Sequence, residues 1–317
     1  MKPLKFYGGE GRLREMQKKK RFDLEKGELL PFLLLLPTLL VVLIVMIIPL
    51  GYGVVISLFN YKVGATLSSD IFVGLSNYAQ MLRDSVFWKS LLNTVLFSIM
   101  AIAGDFIIGT FIAVLLLQLK DKTGRWLRAI FTMPLLISPI IVGLIWKYVY
   151  DPASGILYWF LGLFGLGVDN FPGITSPVTA LFSVAVAHWW QTTPFVLIIV
   201  TAGLVSIDSS LYEAAEIDGA NAVRKFFSIS LPLLKKIYMV IMIISGVDTF
   251  KVFDIIFALT KGGPANSTLP ISVFAYNNAF ESYQMGYAMA ISITALIVSF
   301  IIFGMPFIRF QKNSREE

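Results

Sequence analysis

The sequence contains no cysteine and a single histidine, His188. Without cysteine, no disulfide, thiolate metal site or cysteine nucleophile can be proposed. The scarcity of histidine and the lack of cysteine also argue against an enzyme embedded in the membrane, which would need clustered nucleophiles, bases or metal ligands. No G-x-x-x-x-G-K-[ST] phosphate loop occurs in the chain. We therefore expect no catalytic residues, no metal site and no nucleotide hydrolysis by this chain itself.

Charge is also sparse, and apolar residues dominate. Charged residues make up 15% of the 317 positions and hydrophobic residues 56%, with 26 phenylalanines and a mean hydropathy of +0.76. A soluble domain of this size would expose too much apolar surface. Six apolar stretches reach the roughly 20 residues that a helix needs to cross the hydrocarbon core, which predicts an all-α polytopic membrane protein. The six predicted spans are Leu29–Phe59, Trp88–Leu119, Leu127–Tyr150, Pro177–Val205, Leu233–Leu259 and Tyr283–Phe310.

The basic residues predict the orientation of these spans. Nine lysines and arginines lie within residues 1–28, and others cluster near Arg125 and Arg224, whereas the loop 151–176 has none. Because cytoplasmic loops are enriched in lysine and arginine, both termini are expected in the cytoplasm. The net charge of +6 is explained in the same way and does not require nucleic acid as a partner. We expect a basic cytoplasmic segment at 1–28, a six-helix membrane domain at 29–310 and a cytoplasmic tail at 311–317.

A polar segment at 206–232 interrupts the apolar chain. From Glu213 to Pro232 it reads EAAEIDGANAVRKFFSISLP, which fits the pattern E-A-A, three residues, G, nine residues, I, one residue, L-P. This segment resembles the EAA loop of the permease subunits of binding-protein-dependent ABC importers. The stretch LYEAAEIDGA resembles the MalF-like sugar permeases, whose transmembrane domain is of the MetI-like type. The candidate coupling residues are Glu213, Ala214, Ala215, Asp218, Gly219, Ile229, Leu231 and Pro232.

The resemblance implies a type I ABC importer transmembrane domain in the bacterial inner membrane, forming half of the pathway for a sugar or oligosaccharide. It implies four partners: a second, MalG-like permease in a heterodimer, two ATPase subunits that bind Mg-ATP, and a soluble or lipid-anchored sugar-binding protein. No cofactor is implied for this chain.

The EAA segment is then expected to couple the permease to an ATPase subunit. A short helix with Glu213 and Glu216 in its first turn, where the helix dipole favours acidic residues, would insert into a groove of the ATPase. Gly219 would allow a sharp turn behind this helix. Leu231 and Pro232 would begin the next span.

Polar residues inside two apolar spans are candidates for the substrate pathway. A sugar that loses its water needs replacement hydrogen bonds, which His188, Gln191 and Thr192 can offer, while aromatic faces can stack on pyranose rings. By resemblance, a face of the fifth span with the spacing i, i+4, i+7 lines the same cavity. The alternative for each residue is a hydrogen bond that only holds two helices together. The candidates are His188, Trp190, Gln191, Thr192, Phe195, Ser245, Thr249 and Val252.

Two carboxylates in predicted spans leave a second function open. An ionised carboxylate at bilayer depth is expensive and should face a cavity or a partner, so Asp105 or Asp248 could bind the coupling ion of a secondary carrier. Such carriers usually show repeated halves with interrupted helices, which this sequence does not suggest. For Asp105 a buried structural partner is the favoured interpretation.

Overall fold

The computed structural model describes residues 30–66, 68–119, 122–306 and 308. Among these residues it contains helices and no β-strand, apart from an isolated bridge between Phe59 and Phe72. The predicted all-α class is therefore confirmed. The predicted basic segment 1–28 and the tail 311–317 lie outside the described residues. The chain divides into two compact units, Met1–Val55 and Ile56–Glu317.

The first apolar run is helical. Helix α1 (Leu30–Val42) passes through a π-helical turn (Leu43–Ile47) into α2 (Ile48–Ile56). The stretch Leu33–Ile56 is 24 residues long, which at 1.5 Å per residue gives about 36 Å and is enough to cross a bilayer. Its apolar side chains from Leu33 to Val55 are almost all exposed. A helix that is apolar on every side and is not covered by protein is typical of a membrane span.

The second apolar run forms the longest helix among the described residues. After the short helix α3 (Ser76–Arg83), the side chain of Asp84 accepts a hydrogen bond from the backbone N–H of Val86 and begins α4 (Ser85–Leu117). The capped helix of 33 residues is about 50 Å long, which exceeds the hydrocarbon core.

The third predicted span, Leu127–Tyr150, is not one continuous helix. It consists of α5 (Lys122–Thr132), a 3-10 turn (Met133–Leu136) and α6 (Pro139–Val149), with 102° between the two arms. The cause is Pro139, which begins α6, because a proline excludes the preceding residue from helical geometry. Ser138 accordingly has φ −58° and ψ 138°.

The fourth predicted span is confirmed as one helix. After α7 (Ile156–Gly162), helix α8 (Ala180–Val205) packs along α4. Small residues allow the close approach: a Cβ atom at Gly104 would lie 2.1 Å from the ring of Trp189, and one at Gly109 would lie 2.9 Å from Val196. Close packing over glycine is a common way to join helices inside a membrane.

The fifth predicted span, Leu233–Leu259, is broken twice. Following α9 (Ser209–Ile217), the chain forms α10 (Ala222–Lys225), a π-helical turn (Phe226–Ser230) and α11 (Leu231–Leu233). It then bends by 67° before α12 (Lys235–Phe250). A second break at residues 251–253 separates α12 from α13 (Asp254–Leu259).

The last helices complete the described chain. Helix α14 (Ile271–Tyr276) continues into a π-helical turn (Asn277–Glu281), and α15 (Met285–Ser299) into another (Phe300–Gly304). Four helices of the described chain are long and apolar enough to cross a membrane, or six if each bent pair is one span. One buried core cluster joins α4, α6, α8 and α13 through residues that include Phe97, Val142, Val184 and Ile256.

Candidate substrate pathway and coupling segment

A buried carboxylate joins the second and fourth spans. Asp105 on α4 is 2% exposed, and the hydroxyl of Thr192 on α8 lies 2.8 and 2.9 Å from its two oxygens. The Thr193 hydroxyl lies 3.3 Å from Asp105 Oδ1, and His188 Nε2 lies 3.5 Å from Asp105 Oδ2. The two threonine hydroxyls can donate to a charge that would otherwise be costly in the membrane. The burial of Asp105 against α8 agrees with the favoured interpretation of a structural partner.

Three residues that the sequence predicts to bind sugar instead contact protein atoms. His188 Nε2 and the Thr192 hydroxyl face Asp105, and the Gln191 amide nitrogen donates to the backbone carbonyl of Ile137, at 2.8 Å. Ile137 lies in the break of the third span, where its carbonyl has no helical donor within the described chain. Within the described residues, His188 Nδ1 and Gln191 Oε1 make no hydrogen bond. Both residues are buried, with 8% and 6% of their surface exposed.

The aromatic candidates of α8 do not share one face. Trp190 follows His188 by two positions and so projects about 200° around the helix from it. Its ring is 39% exposed and lies 6.3 Å from the ring of Trp146 on α6. Phe195 is half-buried and packs in a different apolar cluster. The structure thus places Trp190 next to Trp146, which was not among the sequence candidates.

The predicted face of the fifth span is wrong for Val252. Helix α12 ends at Phe250, so Val252 lies in the break after it and shares no helical face with Ser245 and Thr249. The i, i+4, i+7 spacing assumes a helix that continues, and here it does not. The Thr249 side chain is 1% exposed and donates to the carbonyl of Gly246 in its own helix, while Ser245 is half-buried.

Asp248 has a simpler environment than a coupling-ion site. Its carboxylate pairs with Lys251 at 2.9 Å, and the two side chains are 61% and 71% exposed. Such an exposed pair contributes little to stability.

The coupling segment begins one turn earlier than the sequence predicts. Asp208 caps α9 by accepting a hydrogen bond from the backbone N–H of Ser210, which lowers the pKa of Asp208. The helix therefore starts at Ser209, and its first turn holds no acidic residue. The expectation that Glu213 and Glu216 lie in the first turn is wrong, because Asp208 is the stronger capping residue. Glu213 and Ala214 are exposed, and Ala215 is half-buried.

Gly219 ends α9 with the sharp turn that the sequence predicts. Its φ is +74°, Asp218 is the C-cap, and the backbone N–H of Ala220 donates to the carbonyl of Ala215 at 2.8 Å. The N–H of Gly219 donates to Glu216 at 3.0 Å, which completes a Schellman motif. A Cβ atom at Gly219 would meet nothing within 4 Å. Within this chain, backbone geometry and not crowding requires glycine.

Two side-chain contacts tie the arms of the coupling segment together. Lys225 Nζ lies 2.6 Å from Glu216 Oε1, and this hydrogen bond and the lysine charge lower the pKa of Glu216. The hydroxyls of Tyr212 and Ser230 lie 2.8 Å apart. None of Tyr212, Lys225 and Ser230 belongs to the fixed positions of the EAA pattern, so the pattern could not identify them.

The end of the coupling segment differs from the prediction. Ile229 is half-buried in the π-helical turn, and Leu231 and Pro232 are exposed in α11. The 67° bend follows Leu231 and Pro232, so these two residues lie in the arm before the bend and not in α12. A proline within the arm removes one helical N–H donor.

Comparisons with known proteins identify the family. Residues 105–312 match the family described as "Binding-protein-dependent transport system inner membrane component". The chain is 37% identical over 285 residues to the trehalose/maltose transport system permease protein MalF of Thermococcus litoralis, covering 90% of this chain and 95% of the relative. It is 31% identical over 265 residues to the trehalose transport system permease protein SugA of Mycobacterium tuberculosis, covering 83% of each.

A solved structure supports the fold. The chain aligns, with a TM-score of 0.76 and 22% identity, to a chain in the crystal structure of a bacterial alginate ABC transporter in complex with an alginate pentasaccharide-bound periplasmic protein. The alignment covers 88% of this chain and 93% of that chain. Since the family match spans well over half of the sequence, the protein belongs to the inner membrane components of binding-protein-dependent transport systems and is a permease subunit of an ABC importer.

Proposed function

We propose that this permease forms half of the translocation pathway of an ATP-driven importer for a sugar or oligosaccharide. The relatives named for trehalose and maltose transport support this substrate class. The proposed partners are a MalG-like permease, two ATPase subunits that bind Mg-ATP, and a soluble or lipid-anchored sugar-binding protein. Both termini are proposed to be cytoplasmic, which places the EAA segment on the ATPase side of the membrane.

The geometry of the coupling segment carries the proposal. A capped helix ends in a glycine turn, and the chain returns along it through two side-chain ties, so that the segment is braced rather than a loose loop. At its tip Ile217 is 88% exposed. An isolated apolar side chain on a braced helix suits a pocket on a partner protein. We propose that this helix docks in the ATPase groove and transmits its movement.

The substrate would pass the polar atoms that remain free on α8. His188 Nδ1 and Gln191 Oε1 are the proposed contacts for sugar hydroxyls, and Asp105 would fix the orientation of the histidine ring through Nε2. A neutral imidazole suits a neutral oligosaccharide, and a protonated one suits a uronate chain.

Reconstitution of the whole importer tests the proposal. The permease, its partner permease, the ATPase subunits and the binding protein would be assembled in liposomes, and uptake of radiolabelled trehalose, maltodextrin and alginate oligomers measured with and without internal ATP. We expect uptake of at least one sugar that requires ATP and binding protein. Uptake that is driven by an ion gradient and needs no ATP would support the secondary carrier instead.

A further inference from the structure

Helix α5 (Lys122–Thr132) is amphipathic, and its basic and apolar residues are separated lengthwise. At 3.6 residues per turn, Lys122, Arg125 and Arg128 lie within a sector of about 120° around the helix axis. The bulky apolar residues fill the neighbouring sector. They are Trp126, Leu127, Ile130 and Phe131.

One flank of α5 packs against the protein. Gly124 is buried, and a Cβ atom there would lie 2.5 Å from the carbonyl oxygen of Leu119. Leu127 packs against the buried cluster that α4, α8 and α12 form. Lys122 and Trp126, where the basic and apolar sectors meet, lie on the opposite side of the helix from Gly124. The boundary between the two sectors therefore faces away from the protein.

The outward half of α5 carries charge on one side and apolar surface on the other. Lys122 and Arg125 are exposed, and neither has an ion pair or side-chain hydrogen bond within the described residues. Arg128 instead donates from Nε to the carbonyl of Gly124 in its own helix, at 3.1 Å. On the apolar side, Trp126 is 71% and Ile130 53% exposed. A covering surface must therefore offer anionic and apolar groups side by side along the helix.

The bend after α5 indicates which surface does so. The arm that contains α5 makes an angle of 102° with α6. If α6 crosses the membrane, α5 lies close to the membrane plane. In this position the apolar sector can enter the acyl chains while the basic sector stays among the head groups. An α5 that ran across the membrane would instead place Arg125 in hydrocarbon, which is costly.

We propose that α5 is an interfacial helix that binds anionic phospholipid, with Lys122 and Arg125 on the phosphates and Trp126 and Ile130 among the acyl chains. Tryptophan is enriched at this depth of the bilayer. In the proposed orientation α5 lies at the cytoplasmic leaflet, where anionic lipids attract basic segments. Because α5 leads directly into the bend, its attachment to lipid would anchor the start of α6. This inference goes beyond the proposed function, since it needs neither sugar nor ATP.

Spin labels can test whether lipid covers α5, because the chain has no cysteine of its own. Single labels would be attached at Trp126→Cys, Ile130→Cys and Ala129→Cys in the assembled importer, in liposomes of phosphatidylcholine and phosphatidylglycerol. Ala129 is exposed and lies in the basic sector. We expect the labels at 126 and 130 to collide mainly with oxygen, which dissolves in acyl chains, and the label at 129 mainly with a water-soluble nickel chelate.

Two results of the labelling experiment would overturn the proposal. Labels shielded from both oxygen and nickel would show that a permease or ATPase subunit covers α5. Labels that all collide mainly with nickel would show that α5 stands in water.

Lipid quenching tests the recognition of the head group. A fluorophore at Ile130→Cys would be quenched by brominated phosphatidylglycerol or by brominated phosphatidylcholine at equal content. We expect quenching by the anionic lipid to be about two- to fivefold stronger. This preference should disappear in the double variant Lys122→Gln, Arg125→Gln. It should persist in Lys147→Gln, a matched control that changes an exposed lysine in the last turn of α6.

Salt tests the same charges without any substitution. Concentrated salt should reduce the preference for phosphatidylglycerol in the fluorophore-labelled importer that retains both basic residues. Equal quenching by the two lipids at low salt would overturn the head-group assignment, as would a preference that survives in the folded double variant. Both readouts remain decisive if the importer transports no sugar, a result that would count against the proposed function alone.

Discussion

Tyr212 and Ser230 join the two arms of the coupling segment through a hydrogen bond of 2.8 Å between their hydroxyls. Ser230 is 4% exposed, whereas Tyr212 is only half-buried. The bond links the helix that carries the EAA residues to the π-helical turn that leads into α11. We therefore expect movement of one arm to displace the other.

Removal of either hydroxyl should weaken this link. We expect Tyr212→Phe and Ser230→Ala each to destabilise the segment by about 1 kcal/mol and to lower binding-protein-stimulated ATP hydrolysis in the reconstituted importer. Because both changes remove the same bond, the double variant should be little worse than either single variant. Fully additive losses would show that the two hydroxyls act separately.

Substitutions at Gly219 should be tolerated according to how readily the new residue adopts a positive φ. Its φ of +74° disfavours a β-branched side chain, so Gly219→Val should cost about 1–2 kcal/mol and reduce ATP-coupled transport. Asparagine accepts this conformation more readily, and the open space around the Cβ position offers no clash within the chain. Gly219→Asn should therefore preserve the melting temperature of the permease.

The asparagine variant also reports on docking. If Gly219→Asn folds normally but lowers ATP hydrolysis in the assembled importer, a partner surface approaches Gly219 closely. If Gly219→Asn folds normally and hydrolyses ATP normally, backbone conformation is the sole reason for glycine at this position. Loss of folding with Asn, but not with Val, would contradict the assignment of the Schellman turn.

Asp105 should act as a structural acceptor between α4 and α8. Asp105→Leu removes the carboxylate that accepts from the Thr192 and Thr193 hydroxyls, and we expect a loss of about 1–3 kcal/mol in stability, measured as a lower melting temperature in detergent. Asp105→Asn keeps one acceptor oxygen and should be milder. Uptake that depends on an ion gradient in the unmodified importer, and loses that dependence in Asp105→Asn, would contradict the structural role.

Substitutions on α8 should separate ligand contacts from structural ones. Gln191→Leu removes both the free Oε1 and the donor to Ile137, whereas Gln191→Glu keeps an acceptor and removes the donor. If Oε1 binds sugar, Gln191→Leu should change the substrate preference. Gln191→Glu should retain the preference among neutral sugars, disfavour uronate chains through its negative charge, and lower stability. The measurement is competition between labelled and unlabelled sugars, with Ser292→Ala on α15 as a control outside the candidate residues. Identical preference in every variant would remove Gln191 from the pathway.

Acid should weaken the tie between Glu216 and Lys225. The hydrogen bond from Lys225 and its charge hold the pKa of Glu216 below its ordinary value. The stabilisation is therefore fully present above that ordinary value and is lost as pH falls through the lowered pKa. Binding-protein-stimulated ATP hydrolysis by Glu216→Gln should differ from the unmodified importer by a constant, small factor at neutral pH. The difference should shrink only under acid conditions.

Salt provides the control for this pair. Since Glu216 is 63% exposed, added salt should screen the charge attraction and reduce the same difference. A difference that grows toward acid pH would contradict the assignment.

Sequence patterns predict local features of this protein well. Long apolar runs predict α4 and α8, and a conformationally free residue after the EAA helix predicts the turn at Gly219. The breaks within the third and fifth spans are harder to predict, because hydropathy averages over side chains and is insensitive to backbone geometry. Ser138 before Pro139 was a usable signal for the 102° bend. The end of α12 before Val252 gave no such signal.

Contacts between distant positions could not be predicted at all. Asp105 and Thr192 are separated by 87 positions, and no periodicity within one helix links two helices. The ring pairs Phe253–Phe257 and Tyr276–Phe280 have a partial signal, since each pair shows the i, i+4 spacing. Only the structure brings Phe257 to Tyr276.

The bent third span has a consequence for biogenesis. Helix α6 is 11 residues long, about 16 Å, which is roughly half of the hydrocarbon thickness. The carbonyl of Ile137 at its break would be unsatisfied in lipid, where an unpaired backbone group is costly. The donor is Gln191, which is synthesised later. A nascent chain that ends before α8 therefore lacks the donor to the Ile137 carbonyl. The third span can adopt its final bent conformation only after α8 has been inserted.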